Sequence, residues 1–114
     1  MNIRSFDAAC GKLPGAVLSV QWGDEHVWKI GGKMFAWASP GRKPFACSMK
    51  ASDIAWEALA GKAGVRPAPY LARAGWLQID HGAMPDREIA DMLRVAHALV
   101  ISRLPKKVQA ALAV

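Results

Sequence analysis

Between the apolar runs Val27-Trp28-Lys29-Ile30 and Lys33-Met34-Phe35-Ala36-Trp37 stands a bare Gly31-Gly32 pair. Two glycines tolerate the positive φ angles of a two-residue hairpin turn, and such turns keep the right-handed twist of the strands they join. The pair commits the middle of the chain to an antiparallel hairpin of strands near 26–30 and 33–39, around which everything else must pack. In the plain two-residue register Trp28 pairs with Phe35 and His26 with Trp37 on one face, while Lys29 meets Met34 on the other. That aromatic face would be a stacking platform if exposed. It is expected to be core, because Trp and Phe carry the largest apolar payload.

The flanks supply the remaining elements. Ile3, Phe6, Ala9, Cys10 and Leu13 recur at helical spacing and predict a short first helix, which Leu13-Pro14-Gly15 stops. Ala16 to Trp22 predicts a strand ended by Gly23-Asp24. Ser39-Pro40-Gly41-Arg42-Lys43-Pro44 is an exposed, stiff turn into a strand from Phe45 to Met49. Ser52 or Asp53 caps a helix near 53–60. Val65 to Tyr70 reads as an extended loop, since Pro67 and Pro69 lack N–H donors for a central strand. Gly75 to Asp80 is a further strand, whose Trp76 is expected to face the helices. From Pro85 the stripe Ile89, Leu93, Ala96, Val100 and Leu104 traces a long helix that Pro105 ends, and a short helix follows.

The predicted order is helix, four strands, helix, strand, long helix, short helix. A single curved antiparallel sheet with helices packed on one face satisfies it, an α+β domain spanning 1–114. A chain of 114 residues suits one core. No apolar run approaches the ~20 residues needed to span a bilayer. The N-terminal segment carries Arg4, Asp7 and Lys12 and lacks a signal peptide's apolar core, so the expectation is a cytoplasmic monomer with no membrane role. Cys10 and Cys47 stand far apart and are expected to be free buried thiols. His26, His81 and His97 are scattered, so no metal or other cofactor is expected.

Fifteen Lys and Arg against nine Asp and Glu give a net charge of +6, which favours polyanionic partners. The layout sharpens this. Lys29, Lys33, Arg42, Lys43 and Lys50 lie in a stretch without acids, as do Lys62, Arg66 and Arg73, and again Arg94, Arg103, Lys106 and Lys107. Enzyme chemistry finds no support: Gly31-Gly32 is a turn rather than a phosphate loop, and no histidine has a carboxylate at an assignable spacing. His97 is expected to be a packed, hydrogen-bonded histidine.

Several local motifs resemble those of the MmcQ/YjbR family of small bacterial proteins. They are Leu13-Pro14-Gly15, Trp22-Gly23-Asp24, the hairpin Lys29-Ile30-Gly31-Gly32-Lys33-Met34-Phe35-Ala36, Lys50 before the second helix, Pro67 to Tyr70 with Trp76, and Leu104-Pro105-Lys106-Lys107. The resemblance covers nearly the whole chain. It implies a frataxin-like α+β fold and DNA binding through wing-like β connections. The chain departs from the pattern at Gly75, where many members carry a histidine or lysine, and at Ala96-His97, where Ser-Tyr is common.

The expected function is therefore non-enzymatic DNA binding, chiefly by backbone electrostatics. Lys33, Arg42, Lys43 and Lys50 are the leading contacts, and Arg66 and Arg73 are secondary. The alternative is a protein-interaction module that meets an acidic partner through the same face. Reversing Arg42 and Lys43 to Glu is expected to lower DNA affinity at least tenfold, read by fluorescence anisotropy, with no change in melting temperature. Unchanged affinity in the folded variant would remove that turn from the interface.

Overall fold

The computed structural model describes residues 1–112. The chain runs α1 (Ile3–Gly11), β1 (Val17–Gln21), β2 (Glu25–Ile30), β3 (Lys33–Ala38), β4 (Ala46–Lys50), α2 (Asp53–Leu59) and β5 (Val65–Pro67). A 3-10 turn (Ala72–Ala74), β6 (Trp76–Asp80), α3 (Asp86–Ser102) and α4 (Lys106–Leu112) complete it. The strands form one antiparallel sheet in the order β1-β2-β3-β4-β6-β5. The α+β class and the single sheet backed by helices are as the sequence predicts.

Local chemistry places the helix ends. Asn2 caps α1 by accepting from the Ser5 N–H at 2.9 Å, and the Ser5 hydroxyl accepts from the Asn2 N–H at 2.9 Å, so two otherwise orphaned donors are satisfied reciprocally. The Ser52 hydroxyl accepts from the Ala55 N–H at 3.1 Å and caps α2. Asp86 and Glu88 put negative charge in the first turn of α3, where the helix dipole favours it. Along α3, Ile89, Leu93, Ala96 and Val100 bury the expected stripe against the sheet. Asp7 ties α1 to β2, accepting from the Trp28 indole N–H at 2.9 Å and meeting His26 Nδ1 at 2.8 Å.

Three expectations need correction. First, the hairpin register shifts by one. Lys29 still meets Met34, but Trp28 then pairs with Ala36 and Val27 with Trp37, a β-bulge with Phe35 as the extra residue. The consecutive residues Phe35 and Ala36 are both fully buried in the helix-facing core, and Met34 and Trp37 fall to the other face. Second, Val65–Pro67 is a strand rather than loop. It pairs only with β6 at the sheet edge, where the missing N–H of Pro67 costs no ladder bond. Third, Trp76 pairs with Lys50 on the face opposite Leu77 and Ile79, away from the main core. It is buried there beside the segment 68–75, whose Ala68 N–H donates to the Trp76 carbonyl while the Trp76 N–H donates to Leu71.

The glycine turn is also a packing contact. Gly31 has φ +58°, and a Cβ there would stand 2.6 Å from Leu104 Cδ1 and 3.4 Å from Val108. The hairpin tip therefore seats on the α3–α4 corner, whereas Gly32, φ +81°, has open space around it. Gly31→Ala is expected to cost about 1–3 kcal/mol, combining strain and collision, and to lower the melting temperature by roughly 4–8 °C per kcal/mol. Gly32→Ala bears the strain alone and should fall less. Equal falls would show that the tip does not pack on the corner.

Candidate functional site

Sheet register sorts the candidate cations by position. The end of β2, the start of β3, the end of β4 and the start of β6 lie at one end of the sheet. Lys33, Lys50 and Arg73 belong to that end. Arg42 and Lys43 sit on the turn at the opposite end, one strand length or about 20 Å away. Arg66, on the edge strand, is engaged in an ion pair with Asp80 across the β5–β6 ladder. The six residues are thus not one cluster: three gather, two stand apart, and one is neutralised.

The gathered group is completed by a residue the sequence reading leaves out. Lys50, Arg73 and Arg103 line one cleft of about 570 Å³, walled by the start of α2, the 3-10 turn and the end of α3. Asp53 is the carboxylate in that lining. None of the three cations has a carboxylate within ion-pair distance among the described residues. Lys50 donates to the Ala74 carbonyl, which fixes its ammonium against the 3-10 turn. Its pKa is held below the ordinary lysine value, first by burial and then by the like charge of Arg103, with Asp53 opposing. Gly75 has φ +78°, a left-handed conformation that side chains rarely adopt, and a Cβ there would lie 3.5 Å from Lys50 Nζ. Because the hairpin tip packs on Leu104, the corner bearing Arg103, Lys106 and Lys107 lies at the same end as Lys33.

A second concavity, of about 340 Å³, lies on the sheet face away from the helices. Its lining is Trp22, Met34, Trp37, Pro69, Tyr70 and Leu71. The Trp22 and Trp37 rings meet edge to face, with centroids 5.8 Å apart and planes at 79°. Trp22 is 64% exposed and the Tyr70 side chain fully exposed. The Trp37 indole N–H is buried with no partner among the described residues.

Other candidates resolve as structure. His97 Nε2 lies 2.8 Å from the Pro14 carbonyl, so that nitrogen carries the proton, and its ring stands edge-on to Phe35 at 5.3 Å. It is a packed histidine, as expected. Cys10 and Cys47 are buried free thiols, with burial pushing Cys47 up to about 12 and Cys10 also up. Among the described residues no group of three or more metal-ligating side chains gathers, and no helix is long and apolar enough to cross a membrane.

Arg103 was visible in the acid-free C-terminal stretch, but its approach to Lys50 depends on how α3 crosses the sheet. Trp22 and Tyr70 carried a signal too, as large aromatics in positions that turn chemistry gives to small polar residues.

The YjbR family model matches residues 11–99. A Deinococcus radiodurans protein with a DUF419 domain superimposes with a TM-score of 0.89 at 20% identity, covering 99% of this chain and 88% of its own. A Pseudomonas syringae protein superimposes with a TM-score of 0.71 at 19% identity, covering 87% of this chain and 98% of its own. At such identity the likeness is one of fold. Among curated proteins no match is found.

The cleft makes one prediction about titration. Arg103→Gln should raise the Lys50 pKa toward the ordinary lysine value without fully restoring it, since burial remains. Carbon-13 NMR of the reductively methylated protein follows this directly. A Lys50 resonance whose titration is unmoved would place the Arg103 charge outside the cleft.

Proposed function

The chain belongs to the YjbR family, and from that premise we propose that it is a non-enzymatic, cytoplasmic DNA-binding domain that holds the phosphate backbone in the Lys50 cleft. The observation that carries this reading is the convergence of Lys50, Arg73 and Arg103 on one concavity without ion-pair partners among the described residues. Burial first, and then the like charge of Arg103, holds the Lys50 pKa below the ordinary lysine value, so Lys50 and Arg103 repel each other in the cleft. A phosphate entering the cleft relieves the repulsion and gives up condensed counterions, the main source of sequence-independent affinity.

The two arginines offer planar forks suited to phosphate oxygens, while Lys50 acts as a point charge fixed by Ala74. Lys33, Lys106 and Lys107 extend positive charge from the cleft across the α3–α4 corner. Arg42 and Lys43 then serve as a distant second contact for a strand that runs the length of the sheet, and Arg66 is the weakest contributor because Asp80 already engages it. The contacts are to backbone, so affinity should depend little on sequence.

The test is anisotropy of labelled DNA between about 50 and 200 mM salt, where log affinity should fall with log salt by ~0.9 per phosphate neutralised. The expected slope for the wild type is about −3 or steeper, one step per cleft cation. Reversing Arg73 and Arg103 to Glu should shallow that slope by about 2 and lower affinity at least tenfold, with the fold intact by circular dichroism. Binding retained in that variant would move the interface off the cleft. No wild-type binding at the low-salt limit would overturn the DNA reading and favour an acidic protein partner at the same surface.

A further inference from the structure

We infer that the aromatic cavity takes one unstacked base of single-stranded DNA, so that the protein prefers single strands to duplex. This rests on the DNA-binding reading of the basic cleft and adds the chemistry of the neighbouring site.

Two residues on the cavity's rim are in backbone conformations that large side chains rarely adopt. Trp22 has φ +51° and Tyr70 has φ +65°, and they are the two non-glycine residues with positive φ among those described. Such strain costs on the order of 1–3 kcal/mol per residue, and it concentrates where a site needs a fixed geometry. Both come from separate parts of the chain, the β1–β2 turn and the segment before the 3-10 turn, yet both border one cavity. The strain supports no core packing, since both side chains are exposed.

The lining is aromatic and aliphatic side chains, with no charged residue. A ligand there is held by its faces, which suits a nucleobase: every base has a π-face, and stacking on aromatic side chains is worth about 1–3 kcal/mol per base without regard to sequence. Trp37 supplies a floor ring on β3, Trp22 stands edge-on to it, and Tyr70 lines the same cavity.

Continuity of the chain selects the occupant. Pro69, Tyr70 and Leu71 wall the aromatic cavity, and Arg73, Ala74 and Gly75 wall the basic cleft. Leu71 and Arg73 can be separated by at most about 7 Å of chain. A neutral aromatic ligand would use only the first wall and a free phosphate only the second. A nucleotide strand presents a base and phosphates side by side and uses both. In duplex DNA the bases are stacked and paired, so a cavity of this kind admits only a base already out of the stack.

Anisotropy with single strands of about ten nucleotides, within the usual range of single-strand site sizes, tests this against an abasic strand of the same length and a matched duplex. The abasic strand keeps every phosphate and loses every base. The intact strand should bind at least tenfold more tightly than the abasic one and than the duplex. Tyr70→Ala should erase most of that difference while leaving abasic affinity and melting temperature unchanged, because the phenol is fully exposed. Reversal of Arg73 and Arg103 should instead weaken intact and abasic strands alike. Equal binding of intact and abasic strands, or a Tyr70→Ala protein that still distinguishes them, overturns base capture and leaves the phosphate site standing. A duplex bound as tightly as the single strand overturns it too. Failure to bind any of the three at about 50 mM salt overturns both readings together.

Discussion

The extra residue that β3 carries opposite Trp28 sends two consecutive side chains, Phe35 and Ala36, into the core beneath α3. Every strand residue beyond it is displaced by one position, so Trp37 leaves the face it would share with His26 and joins Met34 on the other side. A one-residue slip in a sheet exchanges its faces. Both surfaces of the domain depend on this. On one side Phe35 meets the His97 ring, which in turn is anchored to the Pro14 carbonyl. On the other, Trp37 forms the floor on which Trp22 stands edge-on. Without the bulge Ala36 would turn out of the core, Trp37 would turn into it, and the cavity would lose its floor.

The hairpin tip joins that arrangement to the charged end of the molecule. Gly31 admits Leu104 at a distance no side chain could tolerate, and this contact brings the α3–α4 corner to the same end of the sheet as Lys33 and Lys50. The segment 68–75 closes the arrangement from the other face. Its backbone pairs with Trp76, its carbonyl at Ala74 holds Lys50, and it contributes one wall to each concavity. A cationic cleft and an aromatic cavity thereby become neighbours through a single short stretch of chain.

The elements were largely legible because they rest on local chemistry. The hairpin follows from Gly31-Gly32, the long helix from its apolar stripe, and the helix stops from Pro14 and Pro105. The short edge strand was missed for a physical reason: proline excludes a central strand, and only its place in the sheet reveals that Val65–Pro67 needs no donor there. The bulge was missed because a two-residue turn sets the register only until an extra residue intervenes, and whether Ala36 or Trp37 turns inward depends on the volume left beneath α3. Charge was legible as composition but not as arrangement. Arg66 and Arg73 look equivalent along the chain, yet Asp80 engages the first, and among the described residues no acid pairs with the second.

What the sequence determined by itself was the set of local structures and the sign of the surface: which segments pair, which coil, where they stop, and that cations exceed anions. These depend on neighbours a few residues apart, whose identities are printed side by side. Only the tertiary structure decided that Lys50, Arg73 and Arg103 share a cleft, that Arg42 and Lys43 stand a strand's length away, and that Trp22, Trp37 and Tyr70 border one cavity. Those groupings are set by sheet order, by one bulge and by the packing of Leu104 into the space above Gly31. Each is a contact between residues distant in the chain, fixed by shape and burial rather than by spacing.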